Sequence, residues 1–400
     1  MGLKIIFFTF YYPPDLCAGS FRAAALAKAI SAKMEDGDEL HIITTHPNRY
    51  ASHKVKAKDL EIDGKITVHR IAVPSHQSGM FAQARTFAVY AVTAYRLARK
   101  VAPDFLIGTT GRLMTGVLTG VSAFWLRKRY FIDLRDIFSE TISDLFSRTH
   151  RLLGFIARQV FSFLDRRMLK GAAGVNVVSE GFFDYFQNGG IDTSGWSFFP
   201  NGVDQEFVSF HSEIDTPPPI VKTVLYAGNI GSGQGLEIIV PFLAKRMDEK
   251  FQFVIVGDGG TASLLRETLQ REKVENVELI LPVDRAELLG YYEKADILFL
   301  HLNNVPAFRR VLPSKIFEYA ALGKPIVAGL SGYSALFLRE YVSYAHLFDP
   351  GDVEGAYEAV MKATEDKVSK EAVDQFVALY SRKVIMDQMA LHLLNIMNDR

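Results

Sequence analysis

Short apolar runs alternate with longer stretches of mixed polarity along almost the whole chain. The runs "KIIFFTF", "ELHIITT", "ITVHRIAV", "DFLIGTT" and "RYFIDL" predict strands, and "FRAAALAKAISAK" between the first two predicts a helix. Strands separated in this way by helices require a mostly parallel sheet covered on both faces. A second series begins after residue 220 and reads "TVLYAG", "FQFVIVG", "VELILPV", "DILFLHL", "PIVAGL" and "AHLFDP", with a helical stretch between each pair. The fold class is therefore α/β, with two Rossmann-like domains facing each other across a cleft. The prolines and polar residues of "HSEIDTPPPIVK" suit a linker better than the interior of an element. The expected division is 1–210, a linker at 211–222, and 223–384. Residues 371–400 also read as helical, and the last part, 385–400, either finishes the second domain or crosses back to the first.

Composition narrows the function. At 400 residues, 48% of them hydrophobic, the chain can build two cores. Its 45 basic and 45 acidic residues cancel, which excludes a nucleic-acid binder that relies on its overall field. Any anion must be met locally. The single Cys17 leaves no internal disulfide framework, and "MGLKIIFFTF" has no signal-peptide pattern, so a cytoplasmic setting is expected. The apolar run "LMTGVLTGVSAFWL" (113–126) is too short to span a bilayer and is closed by "RKR".

The loops after the predicted strands hold the candidate chemistry, because ligands of open parallel sheets bind beyond the carboxyl ends of the strands. In "YYPPDLCAGSFRAAALAKAI" two prolines end the first strand, and Gly19 and Ser20 precede a helix with Arg22 in its early turn. Unpaired N–H groups at a helix start attract anions, and Gly19 would let a phosphate approach the backbone. Ser20 serving only as a helix cap accounts for the same residues. In "LYAGNIGSGQGLEIIVPFL" (225–243), Gly228, Gly231, Gly233 and Gly235 lead into a helix beginning near Leu236, with no lysine or arginine among them. This is neither a Walker motif nor the dinucleotide pattern. "VGDGG" (256–260) is a further tight turn or ligand loop. In "RRVLPSKIFEYAALGKPIVAG" (309–329), Pro313 and Ser314 open a helix that carries Glu318, and Gly323 closes it. A carboxylate there can accept two ribose hydroxyls; a solvated surface glutamate is the alternative.

Taken in order, "YYPPD…GS.R", "FFPNGVD" (198–204), "LYAGNIG…QGLE", "VIVGDGG" and "PSKIFEYAALGKPIVA" resemble the retaining GT-B glycosyltransferases of family 4. The similarity is greatest to the branch that builds bacterial O-antigen and capsular polysaccharide, which includes enzymes using N-acetylated amino sugars such as fucosamine. The resemblance implies a nucleotide-sugar donor, with UDP favoured, held mainly by the C-terminal domain, and an acceptor entering from the N-terminal side. Gly19 and Ser20 match the loop near the donor phosphates, Gly228, Asn229 and Gly231 the diphosphate turn, and Gly257 a loop near the nucleotide. Pro282 and Val283 fall where backbone meets the base. Ser314 opens the helix on which Glu318 matches the ribose-binding glutamate.

The chain departs from the family at three positions. Many members carry an arginine and a lysine in the diphosphate turn where this chain has Asn229 and Gln234, and a glutamate at the position of Arg310. The diphosphate charge would then fall to backbone amides and to cations from nearby loops, with Arg309, Arg310, Lys315 and Arg22 as candidates. "RYFIDLRDIFSETI" (129–142) adds Asp133, Arg135 and Asp136, as acceptor or donor contacts or as a structural salt bridge. Arg310, Lys315, Arg135 and Asp136 are the residues expected to carry the transfer. In a retaining transfer without a carboxylate nucleophile, the leaving phosphate itself takes the acceptor proton. No metal and no cofactor beyond the donor is expected. The resemblance makes the acceptor a saccharide, often on a polyprenyl diphosphate. The basic amphipathic segment 148–172 then either lies on an anionic membrane surface or packs on the N-terminal sheet. The competing functions are a nucleotide-sugar epimerase of the same architecture and a nucleotide-sugar binding protein without activity.

Overall fold

The first series of apolar runs builds an eight-stranded sheet, in the order β3-β4-β2-β1-β5-β6-β7-β8. Its strands are β1 (Lys4–Phe8), β2 (Glu39–Thr45), β3 (Leu60–Asp63), β4 (Ile66–Ile71), β5 (Phe105–Thr109), β6 (Arg129–Leu134), β7 (Gly174–Val177) and β8 (Ser197–Phe198). Every pairing is parallel except that of β3 with β4. The covering helices are α1 (Ala18–Lys33), α2 (Met80–Val101), α3 (Leu113–Leu126), α4 (Arg151–Lys170) and α5 (Gly181–Asn188). With helices over the sheet, its central strands read as continuous apolar runs, and Ile5, Ile6, Phe7 and Phe8 are fully buried.

The second series gives a six-stranded, all-parallel sheet, in the order β11-β10-β9-β12-β13-β14. Its strands are β9 (Lys222–Ala227), β10 (Phe251–Val256), β11 (Val277–Ile280), β12 (Ile297–His301), β13 (Ile326–Gly329) and β14 (Ala345–Phe348). The helices of this part of the chain are α6 (Gln205–Val208), α7 (Leu236–Arg246), α8 (Ala262–Glu272), α9 (Arg285–Lys294), α10 (Ser314–Ala321), α11 (Tyr333–Tyr341), α12 (Val353–Ala363) and α13 (Lys370–Tyr380). A 3-10 turn, Pro306–Arg309, precedes α10. The chain ends with α14 (Arg382–Asn398). One core joins β9, β10 and β12 to α7, α8 and α12 through Val224, Leu236, Ile239, Leu265, Phe253, Phe299 and Val360.

This computed structural model describes residues 2–15, 17–48, 56–74, 80–111, 113–137, 151–208, 221–247 and 249–399. Contacts divide the chain into one unit of Met1–Asn201 with Lys383–Arg400 and a second of Gly202–Arg382. The division thus falls earlier than residue 210, and the C-terminal helix groups with the N-terminal sheet. Positions 211–220 of the expected linker lie outside the described residues. So do Arg148 and the part of "RYFIDLRDIFSETI" after Ile137. On α4, Met168 and Leu169 are buried while Phe155, Val160 and Phe163 are exposed.

Each sheet has one topological switch point, where the chain leaves a central strand in opposite directions. In the first unit it lies between β1 and β5, and in the second between β9 and β12. Ligands of open parallel sheets bind in the crevice at the carboxyl ends of such strands. The loops after β1 and β5, and those after β9 and β12, are therefore where each unit's chemistry belongs.

Candidate functional site

In the second unit, β9 ends at Ala227 and the chain turns at Gly228 against the loop after β10. The Gly228 N–H donates to Val256 O at 2.9 Å and the Ile230 N–H to Asp258 O at 2.9 Å. Ile230 O in turn accepts from the Thr261 N–H at 3.0 Å and from the Thr261 hydroxyl at 3.1 Å. A Cβ at Gly257 would stand 1.8 Å from Gly228 O, and one at Gly259 2.4 Å from Ile230 O. Glycine is what lets the two loops lie this close. The Gly257 N–H donates to Ile280 O at 2.9 Å, which ties the end of β11 to the same surface, just before Val283.

Asn229 and Gln234, at the two positions where the resemblance implies cations, bind each other. The Asn229 side-chain amide donates to Gln234 Oε1 at 3.0 Å, and that oxygen also accepts the Gly231 N–H at 3.2 Å. The turn is braced internally by neutral amides. Gly235 has φ +59°, and a Cβ there would lie 2.2 Å from Asn303 Oδ1. Across the switch point, the Asn303 N–H donates to Gly233 O at 2.8 Å and its side-chain amide donates to Ser232 O. His301, fully buried at the end of β12, accepts the Gly351 N–H on Nε2 at 3.0 Å. Its Nδ1 must then carry the proton that bonds Gln234 O at 2.6 Å. The ring is neutral, and burial holds its pKa below the usual histidine value, against the pull of the Gln234 carbonyl.

Lys315 and Glu318 lie three residues apart on α10, a spacing that puts side chains on one helix face. Lys315 Nζ is 2.7 Å from Glu318 Oε2 and donates to the Tyr292 hydroxyl at 3.1 Å, while that hydroxyl donates to Glu318 at 3.2 Å. Lys315 Cε is 3.5 Å from where a Cβ on Gly228 would stand, so the pair sits beside the first glycine turn. Burial alone would raise the Glu318 pKa, but the Lys315 ammonium, with Arg285 and Arg382, holds it below the usual carboxylate range. Burial would likewise lower that of Lys315, and Glu318 reverses the sign. Behind them Arg285 forms ion pairs with Asp204 and Glu206 and lies 5.0 Å over the Phe207 ring, and Arg382 reaches Asp204 at 3.1 Å.

The remaining predicted cations divide. Arg309 donates twice to Asn304 Oδ1, at 3.0 and 2.9 Å, and Arg310 donates to Pro306 O at 3.0 Å, so both are engaged on the 3-10 turn. Ser314 opens α10 behind Pro313, and no side chain caps that helix. Arg22 is committed to partners inside the first unit. It is 1% exposed and forked onto Asp133, at 2.8 Å through both Nε and an Nη. It also donates to Pro200 O at 2.6 Å and Phe199 O at 2.9 Å, and Asn176 donates to Asp133 at 2.8 Å. The pair anchors the "FFPNG" segment, which is the structural salt bridge that the sequence left open for Asp133. Burial would raise the Asp133 pKa, but Arg22 keeps it ionised.

In the first unit the helix begins at Ala18 with Cys17 as N-cap, so Ser20 lies inside α1 rather than capping it. Its hydroxyl is buried with no partner among the described residues. A Cβ on Gly19 would stand 2.3 Å from an Arg135 Nη and one on Gly111 3.4 Å from it, so these glycines make room for the guanidinium. The Arg135 N–H donates to the Thr110 hydroxyl at 2.8 Å, and burial pulls its pKa below the usual arginine value. The Arg135 guanidinium thus sits at the start of α1, with Asp133, Arg22 and Asp136 all acting on its charge. Asp136 is exposed at the next position. Tyr292, Arg285, Asp204 and Asn303 were not legible as site residues, because their partners come from other elements.

Two Rossmann-like sheets in these strand orders make up the α/β architecture called GT-B. Residues 208–377 match the family model "Glycosyl transferases group 1". The chain is 23% identical over 400 residues to WcaI of Escherichia coli K12, provisionally named a colanic acid biosynthesis glycosyl transferase, with 93% of this chain and 96% of that one covered. Its fold is similar to sucrose-phosphate synthase from Thermosynechococcus elongatus, with a TM-score of 0.73, 15% identity and 100% of each chain covered. It is also similar to Anabaena HepE, solved in complex with UDP and glucose, with a TM-score of 0.67, 18% identity and 98% and 99% of the two chains covered. The matches support a group 1 glycosyltransferase.

Proposed function

We propose that this protein is a family 4 enzyme that transfers, with retention, a hexosyl or N-acetylhexosaminyl group from a UDP-sugar to a saccharide acceptor. The acceptor is carried on a polyprenyl diphosphate, the product enters a bacterial surface polysaccharide of O-antigen or capsular type, and the protein works in the cytoplasm against the membrane. The carrying observation is the placement of Lys315 and Glu318 on one turn of α10, beside the Gly228 turn at the switch point. WcaI supports the polysaccharide and HepE the uridine nucleotide.

On this reading Glu318, held ionised, accepts the ribose hydroxyls. Gly228, Asn229, Gly231 and Gly257 present backbone to the diphosphate, Val283 and Ser314 border the nucleotide, and Lys315 supplies the charge that Asn229 and Gln234 lack. The bond from the sugar's anomeric carbon to the β-phosphate oxygen breaks, and the acceptor oxygen bonds that carbon from the same face. The acceptor proton passes to the leaving phosphate, so UDP departs. Lys315 stabilises the developing phosphate charge, with Arg310 as a second cation. Gly19, Ser20, Arg135 and Asp136 belong to the first unit's share of the site, where Arg135 meets an anionic group of donor or acceptor.

Calorimetric titration with UDP, GDP and ADP, with and without magnesium, tests the reading. Selective UDP binding that ignores metal and is lost in Glu318→Ala is the expected result. No binding of any nucleotide, or equal binding by Glu318→Ala, would remove its physical basis. Transfer from a panel of UDP-hexoses and UDP-N-acetylhexosamines, including the N-acetylfucosamine donor, then sets the branch. Interconversion of a UDP-sugar without acceptor would indicate an epimerase, and binding without turnover an inactive homologue.

A further inference from the structure

Strand β12 ends beside the glycine turn, and the residues there hold that turn by its carbonyls. His301 Nδ1 donates to Gln234 O at 2.6 Å, the Asn303 N–H donates to Gly233 O at 2.8 Å, and the Asn303 side-chain amide donates to Ser232 O. Three successive carbonyls are thus fixed from one side. The His301 ring has no room to swing away. It is fully buried, stacked 6.0 Å from Phe348, and seated over Gly329, where a Cβ would stand 2.4 Å from its Cδ2. From the 3-10 turn, Phe308 closes over Gly233, where a Cβ would lie 2.8 Å from its Cζ.

These bonds decide where the N–H groups of the turn point. A trans peptide sets its N–H opposite its C=O, and the peptides of this turn are trans. With Ser232 O on Asn303, the Gly233 N–H faces away from the end of β12. Gly231 O takes the Gln234 N–H at 3.0 Å and the Gly235 N–H at 3.3 Å, so the Ser232 N–H faces away from those two residues. Among the described residues, neither the Ser232 nor the Gly233 N–H has an acceptor. Successive free N–H groups in a turn attract an anion without any side-chain charge, and this turn carries no lysine or arginine.

We propose that His301 and Asn303 are positioning residues for the donor's diphosphate, holding the turn so that the Ser232 and Gly233 N–H groups meet phosphate oxygens. This role rests on the UDP-sugar reading, and neither side chain touches the ligand itself. The Gly351 N–H at Nε2 keeps the imidazole proton on Nδ1, so the ring acts by fixing the direction of the peptides and not by its charge. Donors held in place before the ligand arrives cost no reordering when it binds. A clamp that only stabilised the unit would serve the base and the phosphates alike, and that difference can be measured.

The test uses the full chain, with UDP measured by calorimetry and uridine, which lacks the phosphates, by ligand-observed NMR. His301→Leu and Asn303→Ala should each weaken UDP on the order of tenfold, the size of one hydrogen bond to a charged group, and leave uridine unmoved. Conservative variants separate the two ring nitrogens. His301→Asn sets an amide donor near the place of Nδ1, whereas His301→Gln reaches the place of Nε2 and accepts the Gly351 N–H. His301→Asn should therefore recover most of the UDP affinity lost in His301→Leu, and His301→Gln should not. Equal losses for UDP and uridine, unchanged UDP affinity in both His301→Leu and Asn303→Ala, or recovery by His301→Gln as full as by His301→Asn would overturn the proposal. Should His301→Leu fail to fold, the comparison of His301→Asn with His301→Gln still decides it. A wild-type chain that binds no UDP would overturn the transferase reading and this proposal with it, whereas UDP binding that ignores these variants overturns this proposal alone.

Discussion

At the scale of single residues, the candidate site holds a cation and a carboxylate that satisfy each other. Lys315 and Glu318 were each singled out in the sequence, as a candidate cation and as the glutamate matched by the resemblance, and one helix turn joins them as an i, i+3 pair. Tyr292 was not, since it reaches them from another helix and such adjacency leaves no trace in spacing. The same limit hid the partnership of Arg22 and Asp133, which stand 111 residues apart and form a buried ion pair. If Lys315 faces the leaving phosphate, Lys315→Met should lower kcat on the order of a hundredfold while UDP binding falls far less. An equal loss in both, measured by steady-state turnover and calorimetry, would make Lys315 only a partner of Glu318. His301 gives a pH prediction. Its folded pKa lies below the unfolded value of about 6.5, so its contribution to stability is complete above that pH and is lost as pH falls toward the folded pKa. Urea unfolding between about pH 7 and 5 should show a steeper loss for the wild type than for His301→Gln. His69 and His392 are shifted in the same sense, so the difference between the two proteins is the readout. Parallel curves would refute the assignment.

At the scale of elements, the glycine turn after β9 is held by amides where the resemblance implies cations. This answers one question that the pattern raised, because Asn229 and Gln234 order the turn without charging it. Gln234→Ala removes the acceptor of both the Asn229 amide and the Gly231 N–H. The turn is part-buried, so the stability cost should stay near 1 kcal/mol, as for a typical hydrogen bond. UDP affinity should fall severalfold, because the backbone donors are no longer preorganised. Unchanged affinity by calorimetry would show that the turn does not face the nucleotide. Apolar runs covered on both faces were legible as strands, and "ELHIITT" and "RYFIDL" match β2 and β6 to the residue. β3, β7 and the two-residue β8 were missed. β3 is a four-residue edge strand with Ile62 71% exposed, so no buried face marks it in the sequence, and four-residue β7 lies between small residues in "GAAGVNVVSE".

At the scale of the whole molecule, the chain returns to its first unit at the end. The apolar pattern showed a helix after residue 371 but left its destination open, because a helix face does not name the sheet it covers. The contacts settle it. Met389, Ala390 and Leu393 of α14 are fully buried, and the His392 ring meets Phe131 edge to face at 6.4 Å and Phe199 at a tilt at 5.8 Å. Ile396 closes over Gly174, where a Cβ would stand 2.6 Å from its Cδ1. Removing residues 383–400 exposes the cavity beneath Met386, Met389 and Leu393. At about 1.5–3 kcal/mol for each large apolar side chain, the loss approaches the roughly 5–15 kcal/mol by which a domain is stable. The truncation should therefore unfold the N-terminal unit, from which the removed helix is most distant in sequence, and spare the C-terminal unit that immediately precedes it. Hydrogen exchange distinguishes the two: protection should vanish in β6 and β7 and persist in β9 and β10. The opposite pattern would mean that α14 belongs energetically to the second unit. If the expected pattern holds, the truncated chain should still bind UDP with the determinants on α10, which separates donor binding from the integrity of the acceptor unit.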